Sequence, residues 1–99
     1  MVLEVALIDV TPGAEPGFRE SYRRGRDHLA SSPGCRSVRM TQGVETPTRF
    51  VLLVEWDSVE AHDAFRASDG FTAWRGHVGP HFAGPPLVEH FTDVPAGAA

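Results

Sequence analysis

Phe50-Val51-Leu52-Leu53-Val54-Glu55-Trp56 is the stretch on which the fold turns. A strand points successive side chains to opposite faces. Both sets are apolar here apart from Glu55, so the run reads as a central strand covered on both sides. Asp57-Ser58 with Glu60 then reads as a helix start, with Asp57 capping free backbone amides and Glu60 placed as in a capping box. That helix is expected to run to about Ser68, where Asp69-Gly70 interrupts it. Phe71, Trp74, Val78 and Phe82 follow at helical spacing, and Pro80 is set to kink or end this second piece near Gly79. Gly84-Pro85-Pro86 breaks the chain before a last strand from Leu87 to Val94, and Pro95 to Ala99 is a tail of small residues with nothing to pack.

Working back from Phe50, Thr46-Pro47-Thr48 is a turn, and Cys35 to Glu45 is a strand with Val38 and Met40 on one face and Ser37, Arg39 and Thr41 on the other. Ser32-Pro33-Gly34 stops a helix spanning Pro16 to about Ser31, in which Phe18, Tyr22 and Leu29 form one apolar stripe with Gly25 between them. Val2 to Val10 is the first strand, closed by Thr11-Pro12-Gly13. The order is β-α-β-β-α-β with the second helix broken, a single α+β domain over residues 1–94 built on a four-stranded antiparallel sheet with helices on one face. Such a sheet leaves its other face open, yet its third strand is apolar on both sides. The same face of a second copy would cover it through a two-fold interface, so a homodimer joined by its sheet faces is expected.

A chain of 99 residues has room for one modest core. Its net charge of -4 gives no attraction to a phosphate backbone, and Arg19, Arg23, Arg24 and Arg26 mingle with Glu15, Glu20 and Asp27 as a solvated helix face, so no nucleic-acid partner is expected. The run Val2 to Val10 is broken by Glu4 and Asp9, lacks a basic flank and is too short to cross a bilayer, so no membrane partner is expected either. The single cysteine, Cys35, cannot form an internal disulfide, which suits a reducing, cytoplasmic location. Beside it only Arg36 is basic, so it reads as a small buried residue, not a nucleophile. His77 and His81 have the spacing of a metal-binding pair, but Pro80 spoils the geometry and no third ligand lies near, so no metal is expected.

The stretch from Val51 through Trp56-Asp57-Ser58 to His62, followed by Phe65-Arg66-Ala67-Ser68 and Phe71-Thr72-Ala73-Trp74, resembles the antibiotic biosynthesis monooxygenase domain. Gly84-Pro85-Pro86-Leu87-Val88-Glu89-His90-Phe91 is similar to the opening of that family's last strand, and Pro33-Gly34-Cys35 sits where its second strand begins. The resemblance implies a ferredoxin-like protomer in a dimeric α+β barrel. It also implies cofactor-independent oxygenation of a small aromatic or polyketide-like substrate by dioxygen. In that chemistry a base removes a proton from an acidic C–H, the electron-rich anion reacts with oxygen, and a dry apolar cavity shields the intermediates. A binding dimer without turnover, or a proton-transfer isomerase or cyclase, would need the same cavity.

Several residues carry over from that resemblance. Trp56 matches a tryptophan that lines the cavity of an anthrone oxygenase of the family, and its alternative role is to fill the core or dimer seam. His62 stands where that oxygenase has a tyrosine, which makes it a candidate to hydrogen-bond or deprotonate a ligand, unless it is simply a satisfied helix histidine. Leu52 and Thr41 stand where the oxygenase has an asparagine and a histidine, and Val54 shares the face of Leu52 and Trp56. Phe65 and Trp74 could roof a pocket for a planar polycycle, whereas Phe71 and Phe82 read as ordinary core. His81 offers cavity polarity or helix-end capping, and His90 faces either the helices or the cavity. A haem-degrading branch of the superfamily uses an asparagine, a tryptophan and an iron-binding histidine at the positions of Ala6, Phe65 and Arg75, so that chemistry is not expected.

Overall fold

The computed structural model describes residues 1–97. The elements are β1 (Val2–Asp9), α1 (Glu15–Ala30), β2 (Cys35–Gln42), β3 (Arg49–Trp56), α2 (Val59–Arg66), α3 (Asp69–Val78), a 3-10 turn (Gly79–His81) and β4 (Leu87–Phe91). They build the expected ferredoxin-like α+β fold, an antiparallel sheet of four strands ordered β2-β3-β1-β4, with the second helix divided into α2 and α3.

β3 is central, paired with β1 from Val2↔Trp56 to Asp9↔Arg49 and with β2 from Cys35↔Trp56 to Gln42↔Phe50. Its inner face, Phe50, Leu52, Val54 and Trp56, is buried together with Ala6, Ile8 and Val10 and the helix residues Phe18, Leu29, Phe65, Trp74 and Val78. Its outer face is only partly covered in the single chain. There Val51 and Leu53 stand in register with Leu7 and Val5 of β1, which pair in turn with Leu87 and Glu89 of β4. Leu87 and Phe91 on that face are 59% and 47% exposed. An apolar sheet face is thus left open to solvent.

α1 follows its stripe: Phe18, Gly25 and Leu29 are buried and Tyr22 packs beside them. Gly25 lets α3 come close, since a Cβ there would stand 2.9 Å from the Cβ of His77. Several boundaries differ from expectation. Ser58, not Asp57, caps α2: its extended backbone aims the hydroxyl at the amide of Ala61, while the Asp57 carboxylate pairs with Arg36. The expected break between the two helical pieces falls at Ala67-Ser68, and Asp69-Gly70 already opens α3, because Ser68 accepts the Phe71 amide as a second N-cap. β2 stops at Gln42 instead of Glu45. β4 stops at Phe91 instead of Val94, since Phe91 already faces Leu3 at the start of β1 and later residues meet no partner strand. The expected tail carries no regular structure from Pro95 to Gly97, and its last two residues lie outside the described ones. Among the described residues no helix is long and apolar enough to cross a membrane.

Candidate functional site

Between the sheet and α2 and α3 lies a partly enclosed cavity. Its floor is buried: Glu4, Ala6 and Ile8 from β1, Leu52 from β3, and His62 and Phe65 from α2. Phe71, Trp74 and Arg75 of α3 and Phe82 close the roof, with Arg66 exposed at the rim. Phe82 is held there because the chain after α3 returns to the end of β1, where it bridges Val10 and the Ala83 amide donates 2.7 Å to the Asp9 carbonyl. About 60 Å³ of the cavity is open to the centres of water molecules. This is room for several water molecules or a small ligand.

The polar floor is a chain of close polar contacts. Alternation along β1 puts Glu4 on the inner face with Ala6 and Ile8, and it is only 5% exposed. Trp56 Nε1 donates to Glu4 Oε1 over 2.9 Å. His62 Nε2 lies 3.3 Å from the same oxygen, and His62 Nδ1 lies 2.7 Å from His90 Nε2. The His62 ring is stacked on Trp56, 5.0 Å between centroids and tilted by 14°. α2 sets this up: from the Ser58 cap, His62 and Phe65 share its buried stripe one turn apart.

Burial is the main influence on both titrating groups. It raises the Glu4 carboxyl above its usual range, against the Trp56 hydrogen bond and the guanidiniums of Arg66 and Arg75, which lower it. It pushes His62 down to about 4, helped by Arg66 and His90 and opposed by Asp63. His62 is therefore neutral near pH 7. The His62–His90 contact has its donor when one ring carries the proton and the other accepts it, and His62 Nε2 stands 3.3 Å from the Glu4 carboxyl.

The residues singled out in the sequence divide into three groups. Leu52, His62, Phe65 and Trp74 line the cavity. Trp56 and His90 stand behind it, joined to it through Glu4 and His62, and the choice left open for His90 falls to the side of His62. Val54 is fully buried between Leu52 and Trp56 but does not border the cavity. Thr41 lies opposite Val51, on the sheet face turned away from the helices, and its hydroxyl donates 2.9 Å to the Val51 carbonyl, so the parity of β2 removes it from this site. His81 is also outside the cavity, with Nε2 2.9 Å from Ser21 Oγ and its ring edge-on to Phe18. Phe71 and Phe82, expected as ordinary core, do line it, as do the unanticipated Arg66, Arg75 and Glu4. Among the described residues no group of three His, Cys, Asp or Glu could hold a metal ion.

The chain matches over residues 1–76 the family model described as antibiotic biosynthesis monooxygenase. A Bordetella bronchiseptica protein assigned to these monooxygenases superposes with a TM-score of 0.91 at 37% identity, over 94% of this chain and 96% of that one. SnoaB, a cofactor-independent oxygenase from Streptomyces nogalater, shares the fold with a TM-score of 0.79 at 20% identity, over 93% and 91% of the two chains. The uncharacterized protein YczJ of Bacillus subtilis is 30% identical over 95% of this chain and all of its own length. A mycobilin-producing haem oxygenase of Mycobacterium tuberculosis is 26% identical over 89% of this chain and 85% of its own.

Proposed function

The chain belongs to the antibiotic biosynthesis monooxygenase family, and from that premise we propose that it is a cofactor-independent oxygenase in which Glu4, held by Trp56 and His62, is the base. The observation that carries this reading is a buried carboxylate of raised pKa on the floor of an otherwise apolar cavity. The Glu4 carboxylate removes a proton from an acidic C–H of the substrate. The carbanion so formed reduces dioxygen and combines with it as a peroxide anion, and Glu4 returns the proton to give the hydroperoxide. Loss of the second C–H proton to Glu4, with cleavage of the O–O bond and release of water, leaves a carbonyl. The net change is CH₂ and O₂ to C=O and H₂O. Ala6, Leu52, Phe65 and Trp74 supply the dry walls that protect the peroxide.

A haem-degrading role is disfavoured by the same cavity. It carries Ala6, Phe65 and Arg75 where the haem-degrading branch has its asparagine, tryptophan and iron-binding histidine.

The test is oxygen uptake by purified protein, with no flavin or metal added, over a panel running from anthrones to single-ring hydroquinones and enols. Oxygen consumption with carbonyl or quinone formed well above the uncatalysed rate is expected. None across the panel would sink the reading, and rearrangement of a substrate under nitrogen would reassign the site to isomerisation.

The homodimer belongs to the same proposal. Its support is the outer sheet face, where Val5, Leu7, Val51, Leu53, Leu87 and Phe91 form an apolar patch in one protomer. Wild-type protein should sediment as a dimer at low micromolar concentration, and Leu53→Asp, which sets a charge in the middle of that face, should sediment as a folded monomer.

A further inference from the structure

Arg75 is unusual among the cavity residues. It rises from α3 into the roof, half-buried, with its guanidinium carbon 5.2 Å from the ring centre of Phe71 and 5.3 Å from that of Phe82. The rings fix the cation by their π faces, and among the described residues no carboxylate pairs with it. Arg66 at the rim differs, since Asp63 holds it at 2.5 Å. A guanidinium taken partly out of water with its N–H edge unmatched is an acceptor site for a planar anion, which it binds through paired hydrogen bonds. The cavity is therefore two-ended, with a base at the floor and a cation in the roof.

We infer that Arg75 is the anion subsite of this cavity and that the ligand is a small phenol or enol bearing a carboxylate. Such a molecule sets its carboxylate on Arg75 and its acidic hydrogen toward Glu4. The inference deepens the proposed oxygenase reading and rests on it for the direction of the ligand, but the charge preference itself is a property of binding. It differs from a neutral polycyclic ligand in charge.

The experiment is isothermal titration calorimetry under nitrogen, where no oxygenation occurs, with 2,5-dihydroxybenzoate and its neutral counterpart 2,5-dihydroxybenzamide as probes. Wild-type protein is expected to bind the acid at least about tenfold more tightly than the amide, the scale of a hydrogen bond to a charged group. Arg75→Gln should bring the two affinities within about threefold, and Arg75→Lys should restore part of the preference. Equal affinities in the wild type, no binding of either probe, or a preference unchanged in a folded Arg75→Gln protein would overturn the subsite. If Arg75→Gln fails to fold, the wild-type comparison decides alone. Failure of the oxygen-uptake test with a retained preference for the acid would remove the oxygenase reading and leave the subsite standing.

Discussion

Glu4→Gln should lower turnover by about 10²–10⁴-fold, the usual contribution of a positioned proton-transfer group, while the protein keeps its fold. The substitution is nearly isosteric. With its oxygen in the place of Oε1, the amide still accepts from Trp56 Nε1 and keeps an oxygen beside His62 Nε2. Stability should not fall. Because burial raises the Glu4 pKa, the folded protein holds this proton more tightly than the unfolded chain does. A group raised in this way contributes stability that is present below its unfolded pKa and lost as pH rises through the folded one. At neutral pH the buried carboxylate is therefore a cost, and its neutral amide should leave Tm unchanged or higher. Oxygen uptake at saturating substrate and a thermal melt, run on the same preparations, check both halves. A rate within threefold of wild type would show that the carboxylate is not the base. A lost rate together with a large drop in Tm would make Glu4 a structural residue instead.

Much of this architecture was legible along the chain because it rests on local pattern. The doubly apolar run of β3 and the stripe of Phe18, Tyr22 and Leu29 each report a face, and the faces formed as their periods require. Boundaries were less legible where two residues carry the same signal. Asp57 and Ser58 are both good caps, and only the extended backbone of Ser58 and the engagement of Asp57 by Arg36 separate them. Asp69-Gly70 looks like a break, yet small polar residues after Ser68 are also what a helix start requires. The end of β4 depends on where β1 begins, which is information from the far end of the chain. The site shows the same limit. His62, Trp56 and His90 were found by type and likeness, but Glu4 read as an interruption because its partners are distant in sequence. A signal was available: Glu4 has the parity of Ala6 and Ile8, so a carboxylate on the buried face of β1 needed donors from somewhere.

Trp56→Ala should destabilise the protein by about 3–5 kcal/mol, the range for deleting a large buried aromatic side chain. For a small domain with a total stability of about 5–15 kcal/mol this is a large fraction. At roughly 4–8 °C per kcal/mol it corresponds to a loss in Tm of about 12 °C or more. Two separate terms make the change severe. Trp56 is 0% exposed, stacked on His62 and 5.7 Å from Phe65, so its removal leaves a cavity at the junction of β3 and α2. Its N–H is also a donor to the buried Glu4 carboxylate, and without that bond Glu4 should titrate at still higher pH. Trp56→Phe separates the two terms, since it keeps most of the ring volume and loses the donor, for an expected cost of about 1–3 kcal/mol. Both variants should be melted at the same protein concentration as wild type, because a dimer's Tm depends on it. An alanine variant clearly less stable than the phenylalanine variant means that packing dominates, as 0% exposure implies. Equal losses would mean that the ring matters chiefly as the donor that holds Glu4 in place, and the hydrogen-bonded floor of the cavity would then stabilise this end of the fold as well as carry its chemistry.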